Sequence, residues 1–264
     1  MGSYPRSYGG RINWGGMLTP AIKGLIIANT AVFLFQTLLF LLAPATYQSF
    51  TTWFGLMPYA VTHALRIWQP FTYLFLHGGL LHILLNMLVL WMFGSDVERS
   101  WGRRRFYTYY FLTGVGAGVV NVVVKTLLDL TPAAVNASVR PSEVVTIGAS
   151  GAVYGILTAA AILFPDRHVW LIPFPVSLPM RAYVFIAGAI AFFGTLGVGG
   201  DKVSHLTHLS GMLIGYFYLR RGTFLYRIRN RYLDWKRSRA KRKFEVYMRD
   251  HKDEPPSRPD NWVN

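Results

Sequence analysis

A serine flanked by glycines, in Gly148-Ala149-Ser150-Gly151, opens an apolar run that continues to Phe164. A hydroxyl at the mouth of such a run becomes a nucleophile only if one group takes its proton and others stabilise the charge that develops on attack. Candidates for both exist. His208 stands in a second apolar run ahead of Gly211 and Gly215, and His82 and Asn86 stand in a third. Four-residue spacing places His82 and Asn86 one turn apart on one helix face, and does the same for Ser150 and Tyr154. Gly151 with Gly155, and Gly211 with Gly215, make two small-residue faces suited to close helix packing, which would bring the Ser150 hydroxyl within reach of the His208 imidazole. Taken singly, an intramembrane serine is usually bonded to its own i−4 carbonyl, and a lone His or Asn is usually interhelical glue. The coincidence of spacings points instead to a serine nucleophile with its base. Asp96 and Glu98 lie at the opposite, cytoplasmic end of the run that carries His82, and Asp201 is in a loop, so no acidic residue orients the imidazole and a dyad is expected rather than a triad. The Tyr154 ring would steady the base, and His82, Asn86 and the Ser150 N–H would face an oxyanion.

The elements that must hold these residues are membrane helices. Of 264 residues, 52% are hydrophobic and only 15% charged, too apolar for an ordinary soluble domain of this length. Six runs, at about 22–42, 80–97, 106–128, 148–165, 183–198 and 203–219, read as spans of a roughly 30 Å hydrocarbon layer. The expected fold is therefore an all-α polytopic bundle: a leader over 1–20, a six-helix membrane domain over 21–220 and a basic tail over 221–264. The 45–76 connection contains Trp53, Phe54, Tyr59, Trp68 and Phe71, with Arg66 its only charge; this suits short helices half sunk in the bilayer better than a solvated loop.

Charge sets the topology. Arg99, Arg103 to Arg105, Arg167, Arg181, Arg220 and Arg221 fall in connections 2–3 and 4–5 and at the tail, against Arg66, Arg140 and Lys202 in the other connections. Both termini are therefore expected in the cytoplasm. Residues 220–264 hold 14 Lys and Arg against 6 Asp and Glu, a net +8 of the chain's +15, so the high pI reflects a basic cytoplasmic flank rather than nucleic-acid binding. The tail's Phe224, Leu225, Ile228, Tyr232 and Trp235 recur at helical spacing among arginines. That suits either a helix lying on anionic lipid headgroups or a plain topology-fixing segment. With no cysteine, disulfides and thiolate chemistry are excluded. No removable signal peptide is expected, and the composition leans toward a bacterial inner membrane.

His77-Gly-Gly-Leu-Leu-His82-Ile-Leu-Leu-Asn86, then Gly94, Glu98 and Gly102, then Gly148-Ala-Ser150-Gly151 with Tyr154, then His208-Leu-Ser-Gly211 with Gly215, together resemble the rhomboid family of intramembrane serine proteases over about residues 20–220. The resemblance implies a rhomboid-like bundle of six core helices with a Ser150–His208 dyad and with His82 and Asn86 near the oxyanion. It implies a 1–2 connection within the membrane, a fourth span that begins deep at the serine, and a fifth span that with the 5–6 loop gates substrate. It also implies cleavage of transmembrane protein substrates near their outer ends, without metal or other cofactor. Thr207 departs from the family's usual alanine before the base, and His205 is a second histidine one turn earlier; the glycine pattern assigns the base to His208. His77 either supports the 1–2 connection or lines a water path. Glu98 reads as a structural tie of the 2–3 connection, and Lys125 as a residue snorkelling to water. A second reading keeps the fold without the chemistry: a non-proteolytic relative that binds membrane proteins. A third, ion or proton transport, lacks a polar path to the opposite face. Oligomeric state is not legible.

Overall fold

The computed structural model describes residues 18–135, 137–170, 177–196, 205–220 and 239. Contacts divide the chain into Met1–Phe217 and Tyr218–Asn264, and the architecture below is that of the first unit. The expectations for the leader before residue 18, the 171–176 turn, the 197–204 link and the tail helix lie outside the described residues.

Six helical rods form a polytopic, rhomboid-like bundle. The first, α1 (Pro20–Leu42), has a proline in its first turn and no acidic residue of its own there, so its free N–H groups need an outside acceptor. Glu98 supplies it: its carboxylate accepts from Ala21 N–H at 3.0 Å and Ile22 N–H at 3.2 Å, and from the Thr19 hydroxyl. Glu98 is thus a structural tie, as expected of it, but its partner is the start of α1 rather than the 2–3 connection.

The 1–2 connection folds into short helices α2 (Pro44–Phe54), α3 (Pro58–His63) and α4 (Gln69–Thr72). Irregular backbone survives at membrane depth only if its polar groups are satisfied internally. The last carbonyls of α2 receive side-chain donors for this reason. Gln69 Nε2 donates to Thr52 O at 2.9 Å, Trp68 Nε1 to Trp53 O at 2.9 Å, and Thr72 Oγ1 to Phe54 O at 2.7 Å. Gln69 Oε1 in turn accepts from Met57 N–H.

The second rod joins α5 (Leu80–Val89), a π-helical turn (Leu90–Gly94) and α6 (Ser95–Trp101). Gly102, at φ 79°, ends it and starts α7 (Arg103–Leu128), the longest helix. After the short α8 (Pro132–Val135) come α9 (Ser150–Leu163), α10 (Met180–Thr195) and α11 (205–220). Three rods, Pro20–Leu42, Leu80–Trp101 and Arg103–Leu128, are long and apolar enough to cross a membrane; α9 and α10 are shorter apolar helices. The sequence reading lacked one element: His168–Trp170 (β1) pairs antiparallel with Ser177–Pro179 (β2), so a small hairpin interrupts the all-α plan between α9 and α10.

The polarity is inverted relative to a soluble protein. Large apolar side chains face outward, among them Leu34, Leu41, Leu84, Val123, Phe185 and Phe193, while Asn29, Gln36, Asn86, Thr113 and Asn121 are buried. Such a surface suits lipid, and buried polar groups inside it must find partners within the bundle.

Candidate active site

Ser150 is the first residue of α9, after Ala149 at the N-cap. Its N–H is one of the four that an α-helix leaves without an intrahelical acceptor, and the helix dipole adds partial positive charge there. Ser150 Oγ lies 2.8 Å from His208 Nε2. The tautomer that lets Nε2 accept a proton carries its own hydrogen on Nδ1, which is buried with no hydrogen-bond partner among the described residues. The ring is held by stacking instead: the Tyr154 and His208 planes lie 5° from parallel with centroids 4.3 Å apart.

Backbone contact between α9 and α11 makes this approach possible. A Cβ on Gly211 would collide with the Gly151 carbonyl, one on Gly151 would stand 3.1 Å from Thr207 Cγ2, and one on Gly215 would collide with the Tyr109 hydroxyl and stand 3.4 Å from Gly155 Cα. The helices touch on the two glycine faces that the spacing suggested.

On the other side of Ser150 the chain passes through Gly148 at φ 127°, a backbone region that side-chain-bearing residues rarely enter. A Cβ there would stand 2.8 Å from His82 Nε2 and 3.7 Å from Ser150 Oγ. The missing methyl therefore leaves a space bordered by both atoms. His82 Nδ1 accepts from Gly78 N–H at 3.3 Å, which leaves the ring hydrogen on Nε2, the nitrogen that faces this space. Asn86 is buried, and its Nδ2 donates to His82 O at 3.0 Å; the second amide hydrogen remains to be used.

The remaining polar residues sort differently. His205 packs its ring against Gly194 of α10 and meets His208 edge-on with centroids 6.0 Å apart. His77 is buried; its N–H donates to Gln36 Oε1 at 3.0 Å, and its ring borders a cavity of about 200 Å³ beside Gln36, Thr37 and Gly78. Lys125 does not snorkel. It is buried and donates to Val144 O at 2.9 Å and Thr146 Oγ1 at 3.1 Å. Lys125 reaches inward because the returning 3–4 connection covers the end of α7 and presents acceptors closer than water. Among the described residues no group of three or more His, Asp or Glu is placed to hold a metal ion.

Sequence reading missed Asn121, whose Nδ2 donates to Thr207 Oγ1 at 3.0 Å with both residues buried. A signal was present. Tyr109, Thr113, Ala117, Asn121 and Lys125 of α7, with Asp129 at its C-cap, recur every fourth residue, a helical stripe whose C-terminal half carries an amide, an ammonium and a carboxylate.

Residues 64–222 match the Rhomboid domain family model, and the chain belongs to the rhomboid family. It is 29% identical over 145 residues to Rhomboid protein 1, mitochondrial, of Saccharomyces cerevisiae, covering 54% of this chain and 38% of that one. It is 31% identical over 154 residues to the Presenilin-associated rhomboid-like protein, mitochondrial, of Mus musculus, covering 56% and 36%. It is 30% identical over 172 residues to Rhomboid-like protein 11, chloroplastic, of Arabidopsis thaliana, covering 61% and 55%. The matches thus span between about a third and about half of these relatives' own lengths. By their names these relatives are organellar, which lends no support to the bacterial inner membrane expected from composition.

Proposed function

We propose that the chain is an intramembrane serine endopeptidase that cleaves transmembrane protein substrates near the outer membrane face through a Ser150–His208 dyad. The observation that carries this reading is the 2.8 Å approach of His208 Nε2 to Ser150 Oγ, a nucleophile and its base within hydrogen-bond reach. In acylation, Ser150 Oγ attacks the scissile carbonyl carbon while its proton passes to His208 Nε2. The resulting imidazolium has no carboxylate paired with it among the described residues, and the stacked Tyr154 face offers cation–π stabilisation. The carbonyl oxygen, now an alkoxide, enters the space beside Gly148 that His82 Nε2 borders, with the Ser150 N–H and a turned Asn86 Nδ2 as its further donors in this reading. His208 then returns its proton to the departing amine, activates a water and resets after hydrolysis of the acyl-enzyme.

The depth of the serine fits a membrane substrate. The 14 residues of α9 rise about 21 Å against roughly 30 Å of hydrocarbon. With Asp166 and Arg167 at the cytoplasmic surface, Ser150 lies some 9 Å short of the other surface on the same geometry. Water must reach it, and a substrate helix must unwind to expose its peptide bond. Entry past α10, which the rhomboid resemblance implies, would part Gly188 from Met212, Gly194 from His205 and Tyr183 from Phe93, whose rings stack 5.9 Å apart.

The test is labelling of the detergent-purified chain by a fluorophosphonate probe, together with cleavage of a reporter transmembrane substrate. Both are expected in the wild type and neither in Ser150→Ala. A wild type that captures membrane proteins yet takes no label and cuts nothing would favour the non-proteolytic reading.

A further inference from the structure

The stripe on α7 touches α9, the residue before His208 and the segment leading into Ser150 without belonging to the site. Tyr109 Oη donates to Gly155 O at 2.9 Å, and a Cβ on Gly155 would stand 2.6 Å from Thr113, so the inner half of the stripe seats α9 by close contact. Ala117 lies 3.0 Å from where a Gly151 Cβ would be. Beyond Ala117 the hydrogen bonds reach Thr207 and the segment before the serine. Asn121 bonds Thr207, the residue before His208, and Thr207 Cγ2 lies against Gly151, the residue after Ser150. One turn later Lys125 holds Val144 O and Thr146 Oγ1, and a turn beyond that Asp129 Oδ1 accepts from Ser142 N–H at 3.1 Å.

The segment held by Lys125 leads directly into the serine. Thr146 exchanges two backbone hydrogen bonds with Leu56, at 2.9 and 2.8 Å, and Gly148 N–H donates to Tyr73 O at 2.9 Å. Val144 to Gly148 is therefore fixed on one side by the membrane-embedded connection and on the other by the Lys125 ammonium. A buried ammonium is costly in a lipid-facing bundle; Lys125 meets that cost with a carbonyl and a hydroxyl from the 3–4 connection and with the Asp129 charge one turn on. Thr207 is likewise a polar residue where the resembling family usually carries alanine, and it is buried against the one amide on α7 that reaches it.

Resting on the serine-protease reading, we infer that Asn121 and Lys125 are positioning residues. Asn121, through Thr207, fixes the height of His208 against Ser150; Lys125, through Val144 and Thr146, fixes the Gly148–Ser150 backbone that borders the oxyanion space. Neither touches the reacting atoms. A single rigid helix thereby sets the base and the nucleophile relative to each other, although the two lie 58 residues apart in the chain.

The test measures the rate constant of fluorophosphonate labelling at saturating probe, the probe affinity, and the thermal midpoint on the same full-length preparations. Thr207→Val, which keeps the shape and removes the acceptor, and Lys125→Met are each expected to slow labelling about tenfold or more with probe affinity unchanged. Thr207→Ser is expected to recover most of the rate. Thr146→Val removes one Lys125 bond from the other side and should slow labelling in the same sense, which keeps the inference testable should Lys125→Met fail to fold. The inference is overturned if Thr207→Val and Thr146→Val lower the thermal midpoint while labelling within twofold of the wild type, because the stripe would then be scaffolding alone. Wild-type labelling that Ser150→Ala does not remove would overturn the protease reading itself, a different outcome from unchanged rates in the stripe variants.

Discussion

Two buried polar clusters of the bundle, one around the Glu98 carboxylate and one around the Ser150–His208 pair, differ in how their central groups are satisfied, although the Ser95 hydroxyl three residues before Glu98 is itself unpaired among the described residues. At the Glu98 end, the carboxylate is buried and surrounded by donors that satisfy it: two backbone N–H groups and a hydroxyl at the start of α1. Nearby, Asp96 pairs with Arg99 at 3.0 Å and with Arg167. At the Ser150 end, several buried polar atoms have no hydrogen-bond partner among the described residues, including His208 Nδ1, His77 Nε2 and Gln36 Nε2. Satisfied charge holds helices together, whereas unsatisfied valence in a buried site is available to a substrate or a transition state. The comparison teaches that burial of a polar residue does not separate structure from chemistry; the fate of its remaining donors and acceptors does.

That contrast can be broken at several points. Removing the base should have the largest effect: His208→Ala is expected to reduce reporter cleavage by about 10³-fold or more while the thermal midpoint stays near the wild type, measured by turnover assay and melting on one sample. Next, Asn86→Ala should lower turnover by about 10²-fold if its amide stabilises the oxyanion with ordinary strength, and an unchanged rate would reduce Asn86 to a helix-packing role. Tyr154→Leu, which keeps bulk and removes the stacked ring, should slow turnover by roughly tenfold, in keeping with a cation–π contribution of about 1–2 kcal/mol; Tyr154→Phe should retain the rate.

The Glu98 end should answer in stability instead. Glu98→Ala leaves buried N–H groups without an acceptor and is expected to cost about 1–3 kcal/mol, read as a lowered thermal midpoint with kcat per folded molecule unchanged. Asp96→Asn, which breaks the two partly exposed ion pairs with Arg99 and Arg167, should lower stability by about 1 kcal/mol or less. A Glu98 variant of full stability and lost turnover would invert the comparison.

Much of this was legible because intramembrane polarity is sparse. Ser150, His208, His82 and Asn86 stand out in apolar runs, and glycines four apart announce helix faces that must touch something. The six rods could be read from length and hydropathy, and the short helices of the 1–2 connection from its aromatic, uncharged composition. What stayed hidden depends on partners distant in sequence. Glu98 had a visible burial cost, but nothing local identified Ala21 and Ile22 as its donors. Lys125 at the end of a span looks like any snorkelling lysine until the 3–4 connection folds over it. Asn121 was legible as a period-four stripe but passed unread because helix-helix amides are common glue. The His168–Trp170 hairpin is too short for its alternation to register.

The helices that face lipid are of unequal length, and this has a consequence outside the site. Counting 1.5 Å per residue, the 23 residues of α1 reach about 35 Å and the 16 of α10 about 24 Å, and both turn large apolar side chains outward, Leu41 on one and Phe185 on the other. A bilayer cannot match both flanks at its resting thickness; it must thin beside α10, or the molecule must tilt toward it. The lipid beside α10 is then the part of the membrane that the bundle deforms most. A membrane already thin would accept that flank at less elastic strain, so bilayer thickness becomes a variable to which this chain's abundance and orientation should respond.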